Sequence, residues 1–415
     1  MARSFNRFLI FLLMLARAAM PLSAGAQPPH GSRVAKGHTD KPSPEEVDRA
    51  IALATSYLER ACRPDGKFVY LVNVASGRES ASYDIIRHAG AMYGLAMANR
   101  SRPDPHVAKA MLRAATFMRQ NYIGPGARLD QLAAWSKPLN DRAPSKGNYA
   151  ELGGTGLGLV ALAAVRQVEP KVVPLGDLQS LGRFLLFLQK DDGRFIHAYT
   201  QQGGPSSRRE VLYYPGEAAL GLISLYENDH STQWLIAAAK ALSFLAKSRA
   251  RMTPVPADHW ALIATAALMP YADQVRSVVS REELVQHAEQ ICDSIVHEQF
   301  RGSAAVGIDG AFDPTGRTAP AAARLEGCTE LGRRLLALAG ATARLDSAAP
   351  ARRLSGLCWF RAGPHPGGRQ RQTPRYRARL AVATQRCCPK GFGCARTRSR
   401  NGGHVHSRSP ARHPR

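Results

Sequence analysis

The stretch Gly153–Val165 reads GGTGLGLVALAAV, and Gly216–Leu225 reads GEAALGLISL. Helices that are apolar almost all round are buried, and small residues let such helices approach one another closely. Amphipathic stretches with charged residues, such as Val107–Gln120 and Glu282–Glu298, alternate with them along the chain. The alternation predicts an inner ring of buried helices inside an outer ring of amphipathic ones.

The hydrophobic pattern predicts an all-α protein with little strand. Its first helix begins after Ser43, a good N-cap, with Pro44 at the first helical position. The predicted helices cover about 44–62, 82–98, 104–121, 150–166, 175–190, 213–227, 231–248, 257–269, 281–299 and 320–340. Most of the long connections precede inner helices, so the N-termini of the inner helices are expected at one rim.

An internal repeat supports this architecture. Asp65-Gly66-Lys67-Phe68, Asp192-Gly193-Arg194-Phe195 and Asp309-Gly310-Ala311-Phe312 are spaced by 127 and 117 residues, and each precedes an inner helix. Asp-Gly favours a turn, and the aromatic residue after it can anchor the turn to the core. Regular repeats indicate a solenoid or a closed toroid. Five helical hairpins are recognisable, and a sixth would fall where helical periodicity disappears, after about residue 353.

This arrangement resembles the (α/α)6 toroid superfamily, the six-hairpin glycosidase-like proteins, over about residues 44–345. That superfamily includes glycoside hydrolases, sugar epimerases and polysaccharide lyases. The resemblance lies in the architecture, and no diagnostic motif of one family is present. It implies an (α/α) toroid, incomplete or disrupted at the C-terminus, with carbohydrate chemistry in the central cavity.

The N-terminus reads as a secretory signal peptide, Met1–Ala26. Two arginines precede the short apolar run Phe8–Leu15, and Ala24-Gly25-Ala26 is a cleavage site of the A-x-A kind. The run is too short for a membrane anchor, and no later stretch is long enough to span a bilayer. We therefore expect an exported protein, periplasmic or secreted, with a flexible leader at 27–43.

The net charge of +24 is concentrated at the C-terminus. Ser347–Arg415 contains 16 Lys and Arg and no acidic residue, which leaves +8 for the rest of the chain. Residues 346–415 could be a basic tail that binds an anionic polymer, or could hold zinc through Cys387, Cys388 and Cys394, although that spacing is not a standard one. We favour a third interpretation, an out-of-frame segment, because total loss of acids with scattered Cys fits no structural class. No specific binding of nucleic acid is expected.

The other cysteines, Cys62, Cys292 and Cys328, are far apart in the sequence and are expected to be small buried side chains. No disulfide framework follows from them. The sequence contains no phosphate-binding loop and no recognisable metal-ligand spacing, so neither a cofactor nor a metal is expected.

Polar residues recur where inner helices begin. In the first cluster, Asp84 and His88 are four residues apart and share a helix face, as do Tyr83 and Arg87. A histidine oriented by an aspartate can act as a general base, while tyrosine and arginine can bind sugar hydroxyls or carboxylates. The alternative is a structural network that ties inner helices together.

The second cluster contains Tyr213, Tyr214 and Glu217. Glu217 is the only acid in the otherwise apolar beginning of its helix. Burial among tyrosine rings would raise its pKa and suit a general acid, whereas the helix N-terminus would lower it. Alternatively, Glu217 only stabilises the beginning of the helix.

The third and fourth clusters are Asp258-His259-Trp260 and Arg324 with Glu326. Asp258 could be a simple N-cap, and Trp260 could be a core residue or a platform for a sugar ring. At least one of Arg324 and Glu326 should meet another helix, and we expect Arg324 to pair with Glu217 or Asp258.

These patterns predict an exported protein that acts on a glycan or oligosaccharide by acid/base chemistry: hydrolysis, epimerisation or elimination. Glu217 and Asp258 are the predicted acid/base pair, with His88 as a further catalytic residue. The predicted substrate-binding residues are Tyr83, Asp84, Arg87, Tyr214, His259, Trp260, Arg324 and Glu326. The alternatives are a non-catalytic toroid that binds glycan or peptide, and, more distantly, a binder of nucleic acid or cell surfaces through the basic tail. The oligomeric state is left open.

Overall fold

Ten α-helices follow one another along the part of the chain that the structure describes. The computed structural model describes residues 43–73, 75–80, 82–136, 149–207, 210–300, 311–312 and 318–342. A 3-10 turn, Met269–Val275, continues the eighth helix. The helices are α1 Pro44–Ala61, α2 Ile85–Ser101, α3 Pro105–Asn121, α4 Leu152–Arg166, α5 Leu175–Leu188, α6 Tyr214–Asp229, α7 Thr232–Arg249, α8 His259–Leu268, α9 Arg281–His297 and α10 Thr318–Thr342.

The helices form the two predicted layers. The even-numbered helices are inner, and their packing runs in sequence from α2 through α4, α6 and α8 to α10. The odd-numbered helices pack outside them, which gives five outer–inner hairpins within the described ranges. Inner helices touch through their backbones: a Cβ on Gly156 would lie 2.7 Å from Ala218 Cα, and one on Gly221 would lie 2.6 Å from Gly156 O. The predicted (α/α) toroid and its alternation of inner and outer helices are confirmed.

The repeated turns also match between copies. Gly66 and Gly193 have φ of +87° and +92°, and a Cβ on them would lie 2.1 Å and 2.2 Å from a carbonyl oxygen of α3 and α7 respectively. Glycine is the residue that adopts this conformation without strain and leaves room for that carbonyl. Phe68 and Phe195 are buried, so the aromatic residue anchors these two turns as predicted. Phe312 is also buried, but Asp309 and Gly310 lie outside the described residues.

A five-stranded antiparallel sheet is the feature that the sequence did not predict. Its order is β1-β2-β3-β4-β5, and all of its strands belong to the α3–α4 and α5–α6 connections. Trp135 pairs with Ala150, and Ala150 pairs with Tyr199, so the sheet joins the two connections. Most strands have three residues, too few for an alternating pattern to be recognised. The strands are β1 Ile123–Pro125, β2 Leu132–Ser136, β3 Tyr149–Glu151, β4 Ala198–Thr200 and β5 Gly204–Ser206.

Several other predictions are settled by the described residues. Ser43 caps α1 in a capping box with Glu46. Cys62, Cys292 and Cys328 are buried. No helix in the described part of the chain is long and apolar enough to cross a membrane. The signal peptide, the leader except for Ser43, the sixth hairpin and the tail at 346–415 with its cysteines lie outside the described residues and stay predictions.

Candidate functional site

Glu217 lies in the first turn of α6 and is only 4% exposed. Within the described residues its Oε2 has no hydrogen-bond partner. Burial, reinforced by the nearby carboxylates of Asp258, Glu151 and Asp84, raises the pKa of Glu217 to about 8. The side chain is therefore a carboxylic acid at neutral pH, and burial outweighs the helix N-terminus.

The three carboxylates that act on Glu217 share one structural position. Asp84, Glu151 and Asp258 each occupy the N-cap position of an inner helix, α2, α4 and α8 respectively. The partial positive charge of a helix N-terminus favours anions there. The beginnings of four inner helices thus bring one protonated and three acidic side chains into electrostatic contact, as expected from the clustering of polar residues.

Glu151 is held by hydrogen bonds at both oxygens. The Tyr214 hydroxyl donates to Oε1 at 2.7 Å, and the Ser136 hydroxyl donates to Oε2 at 2.8 Å. Hydrogen bonds to a carboxylate favour its charged form. His197 lies beside Tyr214, with 6.0 Å between ring centroids, and its Nδ1 accepts a hydrogen bond from the Val211 amide. Burial lowers the pKa of His197.

Asp258 is fully enclosed. Its Oδ1 accepts a hydrogen bond from the Ala261 amide at 3.1 Å, which caps α8, and its Oδ2 accepts one from Arg249 Nη2 at 3.0 Å. Burial raises the pKa of Asp258, and the Arg249 guanidinium opposes that rise. With 0% exposure and both oxygens engaged, Asp258 has the contacts of a cap and counter-ion. Its predicted role as the catalytic partner of Glu217 stays a prediction that these contacts do not favour.

Aromatic rings lie beside this cluster, at the beginnings of α6 and α8. The rings of Tyr213 and His259 lie 4.7 Å apart between centroids, and those of His259 and Trp260 lie 5.5 Å apart. Tyr213 and Trp260 are partly exposed, while His259 is buried. Burial, with Arg324 nearby, lowers the pKa of His259 to about 3, so the ring is neutral. Partly exposed rings beside carboxyl groups suit a sugar, whose C–H faces stack on aromatics.

His88 is oriented by Tyr83, and the prediction that Asp84 orients it is wrong. The Tyr83 hydroxyl accepts a hydrogen bond from the Phe68 amide at 3.0 Å and lies 2.8 Å from His88 Nδ1. His88 Nε2 lies 3.0 Å from the Ala114 carbonyl, which can only accept, so Nε2 carries the proton. Burial lowers the pKa of His88 to about 4. Asp84 instead accepts from the first amides of α2.

Arg87 is exposed, so it needs no buried carboxylate. Its guanidinium lies over the Tyr70 ring, 5.4 Å from the centroid, and the Tyr70 ring in turn lies 5.6 Å from the Tyr83 ring. The network around His88 joins the first repeated turn, α2 and α3. These contacts are the ones expected if the cluster is a structural network. The predicted roles of His88, Tyr83 and Arg87 in chemistry or binding stay predictions.

Arg324 pairs with neither Glu217 nor Asp258. Its Nη2 lies 2.7 Å from Oε2 of Glu298, the C-cap of α9, and its Nη1 contacts the Phe312 carbonyl. Arg324 does meet another helix as predicted, but its partner is Glu298 at the end of α9. Glu326 is buried in α10.

The comparisons with known proteins come from structure alone. No protein-family model and no curated protein sequence matches the chain. The GH76 alpha-mannanase of Bacteroides thetaiotaomicron superposes with a TM-score of 0.53 at 10% identity, over 80% of this chain and 87% of that one. The cellobiose 2-epimerase of Spirochaeta thermophila superposes with a TM-score of 0.50 at 13% identity, over 72% and 80%. The two superpositions support the (α/α) toroid fold for this chain. At such identities the toroid alone is shared.

Sequence reasoning missed four residues of the toroid's polar rim: Ser136, Glu151, His197 and Arg249. Glu151 had a recognisable signal, since it immediately precedes an inner helix, as Asp84 and Asp258 do. The other three gave none, because their partners lie on other elements. In the described ranges no group of three or more His, Cys, Asp or Glu side chains is arranged to hold a metal ion.

Proposed function

We propose that this toroid is an exported carbohydrate-active enzyme that uses Glu217 as a general acid on a glycan or oligosaccharide. The buried, protonated carboxyl of Glu217 carries this proposal: its Oε2 has no hydrogen-bond partner within the described residues, and three carboxylates act on it. A general acid works best when its pKa lies near the operating pH. The reaction is a hydrolysis, an epimerisation or an elimination, each of which needs such a proton donor or its conjugate base.

Glu151 is the best candidate for the second carboxylate. The hydrogen bonds from Tyr214 and Ser136 stabilise it as an anion, whereas Glu217 is neutral. Asp258, fully enclosed and bound to Arg249, is less suited to touch a substrate. Glu151 would stabilise positive charge or accept a proton as Glu217 donates one.

Two further observations support a sugar as the substrate. Tyr213 and Trp260 provide partly exposed rings beside the carboxyl groups. The two solved structures that share the toroid are named for a mannanase and a cellobiose epimerase. The signal peptide predicted at Met1–Ala26 supports export.

The test is an assay of the whole chain on a panel of polysaccharides and oligosaccharides. New reducing ends report hydrolysis, absorbance of an unsaturated sugar reports elimination, and NMR of the sugar reports epimerisation. We expect Glu217→Gln and Glu151→Gln to lower turnover about 100-fold or more. The matched control is Glu227→Gln, an exposed acid at the other end of α6, which should retain full turnover.

Asp258→Asn distinguishes the two candidate partners of Glu217. A loss of turnover in Asp258→Asn but not in Glu151→Gln would favour Asp258, the partner predicted from the sequence. Full turnover by Glu217→Gln would overturn the proposal. Sugar binding without turnover by the unmutated protein would favour a non-catalytic glycan-binding toroid.

A further inference from the structure

Arg249 reaches the beginning of α8 from the last residue of α7. Its side chain is buried, and its Nη2 donates to Asp258 Oδ2 at 3.0 Å. Both side chains of this ion pair are enclosed, with 8% of Arg249 and 0% of Asp258 exposed. An enclosed carboxylate without a counter-charge is costly, so Asp258 depends on Arg249. The guanidinium remains charged in proteins, which makes ionised Asp258 the state that neutralises it.

The beginning of α8 is packed directly against the beginning of α6. A Cβ on Gly216 would lie 2.6 Å from both the Trp260 carbonyl carbon and the Ala261 amide nitrogen, so the two backbones touch. Glu217 follows Gly216 in the same turn. A small displacement of α8 would therefore move the first turn of α6 and its acid.

We propose that Arg249 is a positioning residue of the candidate site. It fixes the first turn of α8 against the first turn of α6, and its guanidinium favours the charged form of Asp258. The inference deepens the proposed function, since it concerns the acid of that site. Arg249 acts on the site through its ion pair with Asp258.

The charges that face each group are known. Asp258, Glu151 and Asp84 act on Glu217. Arg249 faces Asp258, and it also acts on the buried ring of His287 in α9. Burial, followed by Arg249, lowers the pKa of His287 to about 4, so that ring adds no charge at neutral pH.

The aromatic neighbours of Glu217 complete this environment. Tyr213 lies beside His259, and Tyr214 lies beside His197. Arg324 acts on both Tyr213 and His259. Removing the charge of Asp258 should consequently shift the titration of Glu217 downwards while the two other carboxylates still raise it.

The experiment is a pH titration of the Glu217 carboxyl carbon by NMR in the whole chain, assigned with Glu217→Gln. The informative variant is the double substitution Arg249→Met with Asp258→Asn, which leaves no unpaired ion and keeps a capping side chain on α8. Arg249→Lys tests whether a positive charge without the guanidinium is enough to keep the titration midpoint of Glu217 unchanged. Arg119→Met, which removes the ion pair with Asp177 on outer helices, is the matched control.

We expect the titration midpoint of Glu217 to fall by about one pH unit or more in the double variant. Arg249→Lys and Arg119→Met should leave it near its original value. A double variant that melts at a lower temperature but titrates like the unmutated protein would overturn the proposal and leave Arg249 a structural residue. The titration does not depend on turnover. A negative titration result can therefore be distinguished from failure of the proposed function, which the activity assay tests.

Discussion

The Tyr214 hydroxyl donates a hydrogen bond of 2.7 Å to Oε1 of Glu151, although the two residues are 63 positions apart. Tyr214 is the first residue of α6, and Glu151 immediately precedes α4. The bond therefore links the beginnings of two neighbouring inner helices, one of which carries Glu217. It also draws the Glu151 carboxylate towards a ring that is itself buried.

Tyr214→Phe should destabilise the protein by about 1.5–3 kcal/mol, because a hydrogen bond to a charged group is lost in a buried place. Tyr226→Phe is the matched control on the same helix, since the Tyr226 hydroxyl donates to the neutral Gln274. We expect a loss of about 0.5–1.5 kcal/mol for that control. Urea unfolding measures both. An equal loss in the two variants would show that Glu151 is not bound as a carboxylate.

Glu217 should make the folded protein less stable as the pH rises. Its pKa is about 8 in the fold against an ordinary value of 4.5, so the folded state binds the extra proton between those values. Stability is fully present below about pH 4.5 and is lost towards pH 8, by an amount on the order of 5 kcal/mol. Glu217→Gln has no carboxyl that can lose this proton. As the pH rises, its free energy of unfolding should therefore increase relative to that of the native protein.

The measurement is the difference in unfolding free energy between native protein and Glu217→Gln at several pH values from 5 to 8. Glu227→Gln provides the comparison for an exposed acid on the same helix. A difference for Glu217→Gln that does not change with pH would mean that Glu217 is ionised in the fold.

The toroid could be predicted because the amino-acid composition of each helix indicates whether it is an inner, buried helix or an outer, amphipathic one. Gly153–Val165 can only be buried, and the Gly and Ala residues that allow the contact of Gly156 with Ala218 are visible in the sequence. The sheet could not be predicted, because three-residue strands such as Tyr149–Glu151 acquire their partners from the fold.

The site, like the fold, was predictable where local sequence pattern was informative. Glu217 could be identified as a lone acid in an apolar helix, although the carboxylates that act on it come from three other inner helices. The partners of Asp258 and Arg324 lie at the ends of other helices, so local pattern did not indicate Arg249 or Glu298. Long-range pairing, rather than local pattern, is what the sequence left open.

Buried neutral histidines should make the protein sensitive to acid. Burial lowers the pKa of His88 to about 4 against an ordinary 6.5, so the unfolded chain binds a proton there first and stability falls as the pH drops from 6.5 towards 4. His88→Gln should unfold with a shallower pH dependence, by up to about 1.4 kcal/mol per pH unit. His106→Gln, an exposed residue of α3, is the control. Urea unfolding between pH 4 and 7 checks this, and identical slopes for native protein and His88→Gln would contradict it.

Gly153→Ala should damage both stability and the acid of the site. A Cβ on Gly153 would lie 2.2 Å from Tyr214 Cδ1 and 2.3 Å from Glu217 Oε2, so both side chains must move. We expect a loss of about 1–3 kcal/mol from overpacking, together with lower turnover. Gly154→Ala is the matched control, because its nearest neighbour would be 3.6 Å away and alanine favours a helix over glycine by up to about 1 kcal/mol. Thermal unfolding and the glycan assay measure both variants, and a Gly153→Ala protein as stable and active as Gly154→Ala would show that Glu217 tolerates displacement.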